Sequence, residues 1–120
     1  MIRGVHTLFY SDRAEELRAF IRDKLGFRAA DVGDGWLIFD LPEADMGCHP
    51  AGADDGRPSG THAISFYCDD IHQTVSELKS RGVEFVDEVV DAGFGWVTHF
   101  KMPGDFAVQL YQPRYQKRFE

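Results

Sequence analysis

The chain has 120 residues, with 13 Lys and Arg against 20 Asp and Glu, a formal net charge of -7. That length suits one domain, the 43% hydrophobic content is that of a folded chain, and an acidic surface repels phosphate backbones, so no nucleic-acid partner is expected. No apolar run approaches the roughly 20 residues of a membrane helix, so no membrane partner is expected; nor is a signal peptide, and Cys48 and Cys68 read as core thiols of a reduced, cytoplasmic protein.

In chain order, Val5 to Tyr10 is apolar, β-branched or aromatic, and predicts a strand. Asp12 is the candidate cap of a helix whose apolar positions Leu17, Phe20, Ile21 and Leu25 have helical spacing, and Gly26 is its left-handed end. Phe27 to Val32 predicts a strand, Gly33-Asp34-Gly35 a turn, Trp36 to Leu41 a third strand and Ala44 to His49 a fourth. The segment from 50 to 60, rich in Gly, Pro, Asp and Ala, reads as a linker. Beyond it follow a strand over Ala63 to Cys68 and a helix over Asp70 to Arg81 that buries Ile71, Val75 and Leu78. Strands over Val83 to Val90, Trp96 to Met102 and Phe106 to Tyr111 complete the second set.

The two sets are one pattern written twice. His6 and His62 are 56 residues apart, as are Gly26 and Gly82; Gly35-Trp36 and Gly95-Trp96 are 60 apart, and Phe39…Pro42 and Phe100…Pro103 are 61 apart. Four landmarks in one order point to a duplication. The expected organisation is a single domain over 1–120: module one at 1–49, linker at 50–60, module two at 61–112, and a basic, aromatic tail at 113–120 read as a disordered end. Each module is βαβββ, too small to enclose a core alone, so the modules must pack together or pair across a dimer.

Two βαβββ modules, a His in the first strand, a helix ending in Leu25-Gly26-Phe27 and a last strand after Pro103-Gly104 resemble the vicinal oxygen chelate superfamily. That group includes glyoxalases, extradiol dioxygenases and bleomycin-resistance proteins. The resemblance covers residues 4 to 112. It implies an α+β fold in which two tandem modules form an open, cup-shaped curled sheet with the helices outside. It also implies a homodimer and a divalent metal ion (Fe, Ni, Mn, Co or Zn) chelating vicinal oxygens of a small-molecule substrate.

Strand alternation sorts the positions that resemblance singles out. With Phe106, Val108 and Leu110 toward the helices, Gln109 faces the cup, either as a neutral metal ligand or as a hydrogen-bonding side chain. His6 faces it too, opposite in sense to Val5, Thr7 and Phe9, and is a candidate ligand. For His62 the repeat argues for the cup and alternation argues against it, unless a β-bulge turns the strand. His49 is a ligand or a rim residue, depending on whether Gly47 or His49 matches Gln109. His99 stands where extradiol dioxygenases carry a Tyr; it is a candidate catalytic proton shuttle, or a buried His among Phe94, Trp96 and Tyr111. Tyr10, Trp36, Tyr67, Trp96 and Tyr111 are candidate substrate-binding aromatics.

No Asp or Glu stands at a ligand position, so the set His6, His49, His62 and Gln109 is neutral. Two functions follow. One is a divalent-metal-dependent enzyme of the dioxygenase or lyase type, acting on a small substrate with vicinal oxygens. The alternative is a metal-free small-molecule binding protein of the bleomycin-resistance type.

Overall fold

The computed structural model describes residues 6–41, 43–48, 51–52 and 57–115. Its elements, in chain order, are α1 (Ala14–Asp23), β1 (Ala29–Asp31), β2 (Leu37–Phe39), β3 (Ser65–Tyr67), α2 (Ile71–Ser80), β4 (Val90–Asp91), β5 (Gly95–Met102) and β6 (Phe106–Pro113). The architecture is α+β. β1 and β2 form an antiparallel hairpin, and the second half forms a four-stranded mixed sheet in the order β3-β6-β5-β4, with β3 parallel to β6. The β3–α2 crossover supplies the length of chain that a parallel pairing needs. Neither sheet closes on itself.

Both helices lie on one face of the large sheet. Leu17 and Ile21 of α1 join Ile71 and Leu78 of α2 in one core, together with Phe100, Met102, Val108 and Leu110 of the β5–β6 ladder. These are the alternate positions of each strand and the i, i+4 and i, i+7 positions of the helices, as the two periods require. Phe100 is 1% exposed and stands among the rings of Phe20, Phe66 and Phe85. The helix C-termini meet: Arg81 donates from Nη1 to the Lys24 carbonyl at 3.1 Å. Gly26 and Gly82 end their helices with φ of +78° and +87°, the left-handed backbone that glycine adopts without a Cβ penalty.

The repeat is legible in local geometry. Asp31 Oδ1 accepts from the Gly33 N–H at 2.9 Å, and Asp91 Oδ1 accepts from the Gly93 N–H at 2.9 Å, the same side-chain turn 60 residues on. Each turn is followed by a Trp under a guanidinium, Arg18 over Trp36 and Arg114 over Trp96.

Several local expectations change. Asp12 does not cap α1; the residue before the helix is Arg13, which makes no side-chain cap bond. Ser11 takes the local bond instead, accepting from the Arg13 N–H at 3.0 Å and donating to the Pro103 carbonyl at 2.8 Å. Asp70 does cap α2, accepting from the Gln73 N–H. Among the described residues, 6–10 and 44–48 carry no ladder pairing. The first of these segments is anchored by a ring: Phe9 packs against Phe66 and Phe106. The second is acidic and holds Ala and Gly, residues that fit a pleated surface poorly. Cys48 is exposed, whereas Cys68 is half-buried, and burial raises its thiol pKa. Arg114 and Tyr115 of the tail are tied down, Arg114 by its ion pair with Asp91 at 2.6 Å. Residues 116–120 lie outside the described residues.

Candidate functional site

The helices cover one face of the four-stranded sheet, and the other face carries the polar side chains. Alternation along β6 buries Val108 and Leu110 and turns Ala107, Gln109 and Tyr111 to the opposite side. On β5, Thr98, Phe100 and Met102 go to the helices, while Val97, His99 and Lys101 stand beside the β6 set. Two rows result. Ser65, Gln109 and His99 are consecutive cross-strand partners, and so are Tyr67, Tyr111 and Val97. The rows are two residues apart along each strand, or about 7 Å.

The polar row is hydrogen-bonded at both of its ends. Gln109 Nε2 donates to Ser65 Oγ at 3.1 Å. His99 Nδ1 meets Asp87 Oδ2 at 2.7 Å. The other Asp87 oxygen accepts from Thr98 Oγ1 and from the His99 N–H, both at 2.8 Å.

Asp87 reaches His99 because its strand is bulged. Phe85 pairs with Phe100 and Val90 with Val97, so residues 86–89 face only 98 and 99. Burial pushes the Asp87 carboxyl up, but hydrogen bonds from Thr98 and His99 more than offset this and hold its pKa below the ordinary value. Asp87 is therefore ionised at neutral pH and can only accept, which puts a proton on His99 Nδ1. His99 Nε2 has no partner among the described residues.

The aromatic row ends in a bridge between the two halves of the chain. Tyr111 is buried, with Phe94 edge-on at 5.7 Å and Tyr67 tilted at 6.4 Å. Its hydroxyl meets that of Tyr115 at 2.9 Å, and Tyr115 donates to Asp45 Oδ2 at 3.3 Å. The face is thus closed at the Tyr111 end and open toward the exposed Ser65, Ala107 and Lys101.

The structure brings Gln109, His99, Tyr67 and Tyr111 together. It does not bring the other singled-out residues to them. His6 and His62 are exposed in segments outside the strands, Tyr10 is 87% exposed and Trp36 is 53% exposed beneath Arg18. Trp96 lies on the helix-facing side of β5, packed against the core under Arg114. His49 lies outside the described residues. Asp87, Ser65 and Phe94 were missed as site residues. The signal for Asp87 is the pair Asp87-Glu88, an acidic break between the apolar pairs Phe85-Val86 and Val89-Val90.

The implied metal can be tested on this geometry. Among the described residues, no group of three His, Cys, Asp or Glu is placed to hold a metal ion, and Gln109, whose Nε2 donates to Ser65, has only its carbonyl Oε1 to offer one. The described donors do not fit a metal centre, and no chemical step is derived through one.

A separate cleft of about 610 Å³ runs between α1 and the β5–β6 turn, with Arg13, Phe20, Lys24, Glu84, Lys101 and Asp105 in its lining. Its charges answer one another, Arg13 with Asp105 and Lys101 with Glu84, and its chemistry is less specific than that of the His99 row.

Comparison with known proteins agrees with this architecture. A sequence model described as the Glyoxalase/Bleomycin resistance protein/Dioxygenase superfamily matches residues 3–110. No curated protein matches the chain. An antibiotic binding protein from Streptomyces sp. CB03234 superposes with a TM-score of 0.63 at 20% identity, covering 94% of this chain and 99% of its own. A superfamily member from Sphaerobacter thermophilus DSM 20745 gives 0.61 at 28% identity, with 93% and 98% covered. A lactoylglutathione lyase from Agrobacterium tumefaciens gives 0.60 at 16% identity, with 88% and 90% covered. Among the described residues, no helix is long and apolar enough to cross a membrane.

Proposed function

The chain belongs to the Glyoxalase/Bleomycin resistance protein/Dioxygenase superfamily, and from that premise we propose that it is a small-molecule binding protein of the bleomycin-resistance type. Its binding surface is the open face of the four-stranded sheet. The observation that carries this reading is the pairing of two rows on that face: Ser65, Gln109 and His99 supply polar atoms beside the rings of Tyr67, Tyr111 and Phe94. A few placed polar groups next to aromatic surface is the composition of a small-molecule site. A ligand would bind by ring contact and orient by hydrogen bonds, without a covalent step. The fold shared with an antibiotic binding protein supports it.

The test is calorimetry with 2-methoxynaphthalene, a flat two-ring probe. Binding that weakens in Tyr67→Ala is the expected result, and no heat of binding at saturating probe would overturn the reading.

A second reading is a divalent-metal enzyme of the dioxygenase or lyase type, with His6, His62, His49 and Gln109 as ligands. What favours it is the superfamily match over residues 3–110, with His99, its Nδ1 held by Asp87 and its Nε2 unpaired beside Gln109, as the catalytic residue rather than a ligand. Elemental analysis of protein reconstituted with Fe, Ni, Mn, Co or Zn separates the two. One tightly held equivalent, lost in His6→Ala, would favour the enzyme; its absence favours the binding protein. The cytoplasmic setting and the homodimer remain part of the proposal, the latter checked by light scattering.

A further inference from the structure

The polar row has a direction, and it discriminates between ligands. Asp87 accepts three hydrogen bonds from the Thr98–His99 pair, and one of them, at 2.7 Å, is to His99 Nδ1. A carboxylate cannot donate, so the proton of the neutral imidazole is on Nδ1 and the Nε2 lone pair is the one left over. In that neutral form the site offers an acceptor at this position, and a ligand brings the donor to it. Across the ladder, Gln109 has committed one amide N–H to Ser65. Charged groups near His99 are Asp87 on the bulged edge and, two residues along β5, Lys101, which is paired with Glu84 at 2.9 Å. From β6, Ala107 and Gln109 bring no charge.

The aromatic row lies about 7 Å from the polar one along the strands. That is about the length of a fused two-ring system measured from a substituent on one ring to the far edge of the other. A molecule with its rings against Tyr111 and Phe94, beside Val97, would reach His99, two residues along β5, with an edge substituent.

We propose that the site selects hydroxylated planar aromatics, through a hydrogen bond from the ligand hydroxyl to His99 Nε2, with Asp87 as the positioning residue that fixes the imidazole tautomer. This inference rests on the reading of the open face as a small-molecule site. It adds a ligand class and a residue that sequence reasoning did not assign. No bond is made or broken: the hydroxyl keeps its proton and donates it.

The experiment compares 2-naphthol with 2-methoxynaphthalene, which has the same rings and no donor. Calorimetry on the full chain at neutral pH is expected to give 2-naphthol a dissociation constant about three- to tenfold lower, the worth of one neutral hydrogen bond. In His99→Phe the ratio is expected to fall to about one. In Asp87→Ala the ratio falls as well, and nitrogen-15 spectra of the His99 ring change from the Nδ1–H tautomer to a mixture. Amide spectra of both variants establish that they are folded.

Equal affinities in the unsubstituted protein would overturn the hydroxyl inference and leave the binding surface standing. Binding of neither probe would overturn both. An unchanged tautomer in Asp87→Ala would remove Asp87 from its positioning role.

Discussion

The hairpins at Asp31 and Asp91 begin with the same turn, yet the chain after them behaves differently. In the first half, β1 and β2 stop after three pairs. In the second half, the strand that follows the turn, β5, continues for eight residues and pairs along its whole length with β6. What differs is the next turn. Pro103 is followed by Gly104 and Asp105, both with positive φ, which reverse the chain tightly. The matching Pro42 is followed by Glu43 and Ala44 rather than a glycine, and the alternating positions after it, Ala44, Met46 and Cys48, are neither β-branched nor aromatic. The same duplicated pattern gives a full sheet only where turn chemistry and strand composition agree, and that half carries the His99 row.

If the second half holds the core, its substitutions should dominate stability. Phe100→Ala should destabilise the protein by about 3–5 kcal/mol, whereas Ile38→Ala, at a position 37% exposed on β2, should cost about 1 kcal/mol or less. Urea denaturation of the two variants measures the contrast. Equal losses would mean that the hairpin is as much a part of the core as the large sheet.

The helix starts sharpen the comparison at a smaller scale. Asp70 caps α2 by accepting from Gln73, so Asp70→Ala should lose about 1 kcal/mol. Asp12 makes no such bond, and Asp12→Ala should change the denaturation midpoint very little.

The smallest effect concerns pH. The Asp87 carboxyl is ionised more readily in the folded chain than in an unfolded one. Its contribution is therefore fully present above the ordinary Asp value of about 3.9 and is lost as pH falls through the lowered folded value. In Asp87→Asn, the gap between the urea midpoints at neutral pH and at about pH 3 should narrow. An unchanged gap would show that Asp87 is not among the groups responsible for acid sensitivity.

The legible parts of the molecule were those where one local rule decided the outcome. Leu17 and Ile21, Ile71 and Leu78, and the alternation that turns Gln109 away from the core could all be read from period alone. So could Gly26 and Gly82 as left-handed helix ends. The illegible parts depended on partners distant in sequence. Asp87 reads as a solvated acid until the bulge sets it against His99, 12 residues on. Trp96 reads as a substrate-binding aromatic, but it packs with Thr98 and Phe100 on the helix side, under Arg114 from the end of the chain. Residues 6–10 have strand composition, yet Phe9 is held by rings of the other half and the segment joins no ladder. The acidic balance of the chain also takes on local meaning, because one of its 20 carboxylates orients the imidazole on the open face.

The claim that this face is the binding surface is tested most directly by an amide NMR titration with 2-naphthol. The predicted result is a set of shifts centred on Ser65, Tyr67, His99, Gln109 and Phe94. Shifts confined to 29–41, or to the cleft beside Arg13 and Lys24, would contradict it.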